Sequence, residues 1–126
     1  MELDIILKNF LEIKEIKPNY FQVKTNAVFM GNITLYSVVE KKDNIYRISD
    51  NKQILPFMNN YYELRAPDIR NCIRSVLKVN KMQIKEGEIF CEFEEESKIP
   101  QRLTDFLLCA GQLIRMFAFF DPPEKK

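Results

Sequence analysis

Arg70, Arg74, Lys78 and Lys81 recur at intervals of four, four and three residues. At 100° per residue they fall within about 80° of one another, so a helix here carries a basic stripe able to grip phosphates or an acidic partner. Arg65 and Lys85 extend it. An ordinary solvated face is the plainer alternative. The opposite sign follows at once in Glu86, Glu88, Glu92, Glu94, Glu95 and Glu96. Strand side chains two apart stand roughly 7 Å from each other, near the phosphate spacing of a single DNA strand. Glu88, Glu92 and Glu94 are therefore candidates for mimicking a nucleic acid, against the commoner role of keeping an edge strand soluble. Patches of opposite sign can also pair between copies of the chain.

Apolar candidates for a partner surface are the aromatic pairs Tyr61-Tyr62 and Phe119-Phe120, and the strip Leu108, Met116 and Phe119 on the back of the last helix. A partner chain or the N-terminal helix would cover that strip, since aromatic and methionine side chains favour interface cores.

The inventory for catalysis is short. Histidine is absent, which removes Ser–His and Cys–His nucleophile pairs and histidine metal sites together. Three glycines make no phosphate-binding loop, and Cys72, Cys91 and Cys109 are odd in number with no metal-ligand spacing, so they read as reduced thiols. Glu12-Ile13-Lys14 has the Glu-x-Lys spacing of metal nucleases, but it falls on an expected helix without a paired aspartate. Asp50 could act as an acid; capping a turn is the commoner role. No catalytic residue, metal ligand or cofactor is assigned. With 19 basic and 18 acidic residues the net charge is +1, so any electrostatic partner must be recruited by a local patch. Glu2 and Asp4 stand where a signal peptide would be basic, and a cytoplasmic location is expected.

These groups must be positioned by one α+β domain of the 126-residue chain, residues 1–121, with 122–126 as a short charged tail. Pro100 to Phe120 is the organising stretch. Leu103, Phe106, Leu107, Ala110, Leu113, Ile114, Phe117 and Ala118 give one broad apolar helix face, opened by Pro100 and stopped by Asp121-Pro122-Pro123. Gly111 either allows close backbone approach or is simply tolerated. Leu3, Ile6, Leu7, Phe10 and Ile13 predict an amphipathic helix over Met1 to Lys17 that covers a sheet. Alternation in Phe21 to Phe29, Ile33 to Glu40 and Ile45 to Ser49 predicts a three-stranded antiparallel meander. Next come a short segment at Gln53 to Asn60 capped by Asp50, and a helix from Pro67 to about Asn80 with Ile69, Ile73, Val76 and Leu77 inward. A hairpin around Glu86-Gly87 precedes the long helix.

Tyr46-Arg47-Ile48-Ser49-Asp50 and Glu86-Gly87-Glu88, set in this order of elements, resemble the bacterial and phage family called domain of unknown function 1828. The resemblance runs from about Val23 to Phe117. Family members carry Thr-Pro-Phe near the first strand, where this chain has Thr25-Asn26-Ala27, and glycines after the aspartate, where it has Asn51-Lys52. The resemblance implies an α+β domain common on phages and mobile elements, with no assigned activity and no catalytic residues to carry over. The expectation is a non-enzymatic, cytosolic protein-binding module, a phage or mobile-element regulator or inhibitor that occupies a macromolecular partner. The alternative is a nucleic-acid-binding accessory protein using the basic stripe. A protein partner is expected first, nucleic acid second and a homodimer third; no membrane partner is expected.

Overall fold

Proline fixes φ near −65° and asparagine tolerates positive φ, so Pro18-Asn19 folds the chain back on itself: Asn19 takes φ 62° and Lys17 faces Tyr20. The computed structural model describes residues 12–28, 34–60 and 62–117. Within them the turn joins Glu12–Lys17 (β1) to Tyr20–Val28 (β2). Six residues expected to be helical are therefore a strand. Ile13 and Ile16 lie three apart, a spacing that suits a helix, and pairing with β2 decides against it. The remainder of that expected helix, and the proline stop after Phe120, lie outside the described residues.

The meander continues through Thr34–Lys42 (β3) and Ile45–Ser49 (β4), with Asp43 at φ 58° in the two-residue connection. Gln83–Lys85 (β5) and Glu88–Phe93 (β6) form the last hairpin around Glu86-Gly87. Both turn residues have positive φ, 52° and 82°, the pattern of a type I′ turn. The sheet is antiparallel throughout, in the order β1-β2-β3-β4-β6-β5. Thus β6 is an interior strand, not the charged edge that its glutamates suggest. Of its outward residues Phe90 lies between Ser49 and Gln83, while Glu92 faces Arg47 and Glu88 faces Lys85.

The helices among the described residues are Ile54–Met58 (α1), Pro67–Val79 (α2) and Ile99–Phe117 (α3). A single 3-10 turn, Glu96–Lys98, leads into α3. Phe21, Val23, Leu35, Val39, Ile48, Ile89 and Cys91 supply one face of the sheet to the core; Ile73 and Leu77 of α2 and Leu103, Phe106, Ala110 and Leu113 of α3 close it. Each large apolar side chain fully buried there contributes about 1.5–3 kcal/mol. Ile99 and Cys109 join the buried set of α3, while Leu107 and Ile114 are only half-buried. A Cβ at Gly111 would meet only Arg115 Nη1 at 3.6 Å, so no neighbouring backbone demands that glycine.

The end of α2 is a Schellman turn. Lys81 N–H donates to the Lys78 carbonyl at 3.2 Å, Met82 N–H to that of Leu77 at 2.9 Å, and buried Met82 covers buried Leu77. Met82 thus belongs to the helix stop and not to β5, and Lys81 stands one residue past the cap with φ 60°. Glycine normally holds that position, because an L side chain there meets its own carbonyl. Lys81→Gly is expected to raise stability by about 0.5–1 kcal/mol, read as a higher urea midpoint at unchanged slope. An unchanged or lower midpoint would show that lysine sits there without strain.

Candidate functional site

Burying Ile69, Ile73 and Leu77 leaves the flank of α2 about 100° away to solvent, and Arg70, Arg74 and Lys78 are all exposed on it. Among the described residues no carboxylate forms an ion pair with any of the three. Successive members are one helical turn apart, about 6 Å along the axis. Lys81 continues the row beyond the helix and lines a crevice of about 520 Å³ between the end of α2, β6 and the start of α3. Phe93, Lys98 and Arg102 line it too. Arg102 is held in place: Nη1 donates to Asp105 Oδ2 at 3.0 Å and Nη2 to the Lys81 carbonyl at 3.0 Å. Phe93 is held by Tyr46, their rings 5.7 Å apart and stacked, while the Tyr46 hydroxyl donates to Glu96 Oε2 at 2.9 Å. Asn80 Nδ2 ties the two helices by donating to Gln112 Oε1 at 2.7 Å.

The acidic residues are differently placed. Arg47, opposite Glu92 across β4 and β6, donates from Nη1 and Nη2 to the two carboxylate oxygens of Glu88 at 3.0 and 3.1 Å. Its Nε lies 3.5 Å from Glu92, and its guanidinium sits 4.2 Å from the Phe90 ring centroid. Two of the three glutamates expected to form an anionic ladder are thus engaged by one arginine. Glu94 is exposed and lines a shallow groove of about 440 Å³ with Glu40, Asp43 and Glu92.

The Arg47 hydrogen bonds hold the Glu88 carboxyl below its ordinary value of 4.5. A depressed carboxylate contributes stability that is complete above the unfolded value and is lost as pH falls through the folded one. Glu88→Gln removes that contribution, so its stability should fall less than wild type between about pH 6 and pH 3. Equal acid slopes in urea titrations of the two proteins would break this assignment.

Other expected site residues turn inward or lie elsewhere. Tyr62 is buried, its ring 4.9 Å from that of Phe117, because the loop into α2 drops it into the core; it is not an exposed aromatic. Tyr61 and Phe119 lie outside the described residues. Leu108 is 52% exposed, but Met116 leans on the core, so the two do not form one exposed strip. Glu12 and Lys14 are on a strand, not a helix, and Glu12 pairs in register with Lys24, not with a carboxylate. All three cysteines are free. Burial pushes the Cys91 thiol up and Cys109 up to about 12, the latter helped by Asp50 and Cys91, so neither is poised as a nucleophile. Among the described residues no His, Cys, Asp and Glu group could hold a metal ion, and no helix is long and apolar enough to cross a membrane.

Comparison with protein-family models, with curated proteins and with solved structures finds no match. The geometry alone therefore brings out Arg47, Phe93 and Arg102, none of which the sequence reading named as a candidate site residue. A lone arginine in an apolar strand, facing a strand with glutamates four apart, was the available signal for Arg47. Phe93 and Arg102 offered none, because their neighbours come from other elements.

Proposed function

We propose that this chain is a binding protein that occupies the surface of an anionic macromolecular partner without making or breaking a bond, and that the outward face of α2 is its docking surface. One observation carries this reading: Arg70, Arg74 and Lys78 are exposed and free of ion pairs among the described residues, whereas Glu88, Glu92 and Arg102 are already engaged within the fold. Unspent charge is what a partner can use. The buried acid and thiols support a non-catalytic role, since Asp50 accepts three backbone N–H groups and burial raises both Cys91 and Cys109.

The resemblance to domain of unknown function 1828 adds a phage or mobile-element setting, in which a regulator or inhibitor acts by such occlusion. Asn51 and Lys52 stand where that family has glycines, and both take positive φ, 52° and 63°, which glycine adopts at least cost. Three free cysteines support a cytoplasmic location within the same proposal.

The test is a pull-down from lysate of the native host by wild type and by Arg70→Glu/Arg74→Glu. A partner retained by wild type at low salt and missing from the variant supports the docking face. Equal capture by both would reject it.

A further inference from the structure

We infer that the crevice at the end of α2 takes one unpaired base of a single-stranded nucleic acid, with Phe93 as the stacking surface and Arg70, Arg74, Lys78 and Lys81 following the phosphates. The inference rests on the reading of α2 as the docking face and names its ligand. A single strand needs two things from a protein: cations spaced along its backbone, and aromatic rings for its bases. Arg70, Arg74 and Lys78 stand one helical turn apart, about 6 Å, a step comparable to that between phosphates of an extended strand, and Lys81 follows just past the helix cap. Lys81 belongs both to that row and to the crevice wall, so a strand tracked by α2 is delivered to Phe93.

The crevice suits a base in size and chemistry. Its volume of about 520 Å³ lies within the range of small-ligand pockets, about 300–1,000 Å³. Phe93 is braced by Tyr46, and Arg102 is fixed between Asp105 and the Lys81 carbonyl, so an aromatic wall and a polar wall are both rigid before binding. The two carboxylates in the lining do not oppose a phosphate strongly, because Asp105 is paired with Arg102 and Glu92 with Arg47. An acidic protein surface would use the cations equally well and could bury the ring; a single strand in addition matches the roughly 6 Å step of the cations and offers a flat base to the ring beside them. That asymmetry favours nucleic acid.

The experiment is fluorescence anisotropy with a fluorescein-labelled oligothymidylate. Wild type should bind at low salt, with log affinity falling against log salt at a slope of about −3 for four phosphate contacts. Phe93→Leu keeps apolar bulk and removes the ring face, and should weaken binding about 5- to 150-fold. Should that variant melt early, Val79→Glu serves instead: residue 79 is 74% exposed at the crevice and touches no core, and a carboxylate there should weaken binding by at least about tenfold. If Arg70→Glu/Arg74→Glu releases the oligonucleotide while Phe93→Leu and Val79→Glu leave affinity within about twofold, the base site is overturned and the docking face stands. If wild type does not bind the oligonucleotide at low salt, the inference falls, and lysate capture that still depends on Arg70 and Arg74 preserves the docking face alone.

Discussion

Asp50→Ala is expected to destabilise the domain by about 3 kcal/mol, because it strands three backbone donors, two of them buried. Asp50 has no solvent exposure, and its carboxylate holds three parts of the chain together. Oδ1 accepts from Lys52 N–H and Ile89 N–H, and Oδ2 from Ile54 N–H, each at 3.0 Å. One side chain thereby caps α1, closes the turn after β4 and fastens β6 beside it. Losing a partner for each buried donor costs about 1–3 kcal/mol, and release of a desolvated carboxylate offsets part of the sum. Asp50→Asn should cost less, about 1.5–2 kcal/mol, since an amide oxygen can serve Lys52 and Ile89 while the amide nitrogen confronts Ile54 N–H. Urea midpoints at constant slope measure both, and a loss under about 1 kcal/mol for the alanine variant would show that the carboxylate is dispensable.

Burial raises the Asp50 carboxyl above its ordinary value of 3.8, against the opposing pull of its hydrogen bonds. A raised value means that the folded state holds the proton more tightly, so this contribution to stability is present below 3.8 and is lost as pH rises through the folded value. The advantage of wild type over Asp50→Asn should accordingly widen on acidification from neutral pH. Glu88 titrates with the opposite sign, and the two variants separate the effects.

Arg70→Glu/Arg74→Glu should reduce affinity for the anionic partner by about 100-fold at low salt, each of four charge changes being worth up to about 1 kcal/mol. The same variant should fold as well as wild type, within about 0.5 kcal/mol, because both arginines are exposed and neither has an ion pair among the described residues. Loss of binding with an unchanged urea midpoint is a signature that misfolding cannot imitate. Raising salt should narrow the gap between the two proteins, since screening weakens attraction and repulsion alike. Affinities that stay within about threefold at low salt would move the binding surface away from α2.

By itself the sequence determined those elements whose signal is local. Ile69, Ile73 and Leu77 at helical spacing place α2, Leu103 to Phe117 place α3, and alternation with turn residues places β2, β3 and β4. Most of the basic row was legible for the same reason: Arg70, Arg74 and Lys78 on one helix need no other element to be neighbours, whereas Lys81 falls past the cap. Tertiary structure alone decided whatever depended on distant pairing. Glu12–Lys17 suits helix and strand alike, and hydrogen bonding to β2 made it a strand. Arg47 reaches Glu88, 41 residues away, only because β6 enters the sheet beside β4, which also turned an apparent charged edge into an interior strand. Phe93 meets Lys81 and Arg102 where the ends of three elements converge. The physical reason is that spacing along the chain sets which face a side chain occupies, whereas the free energy of burying that face against another sets what it meets.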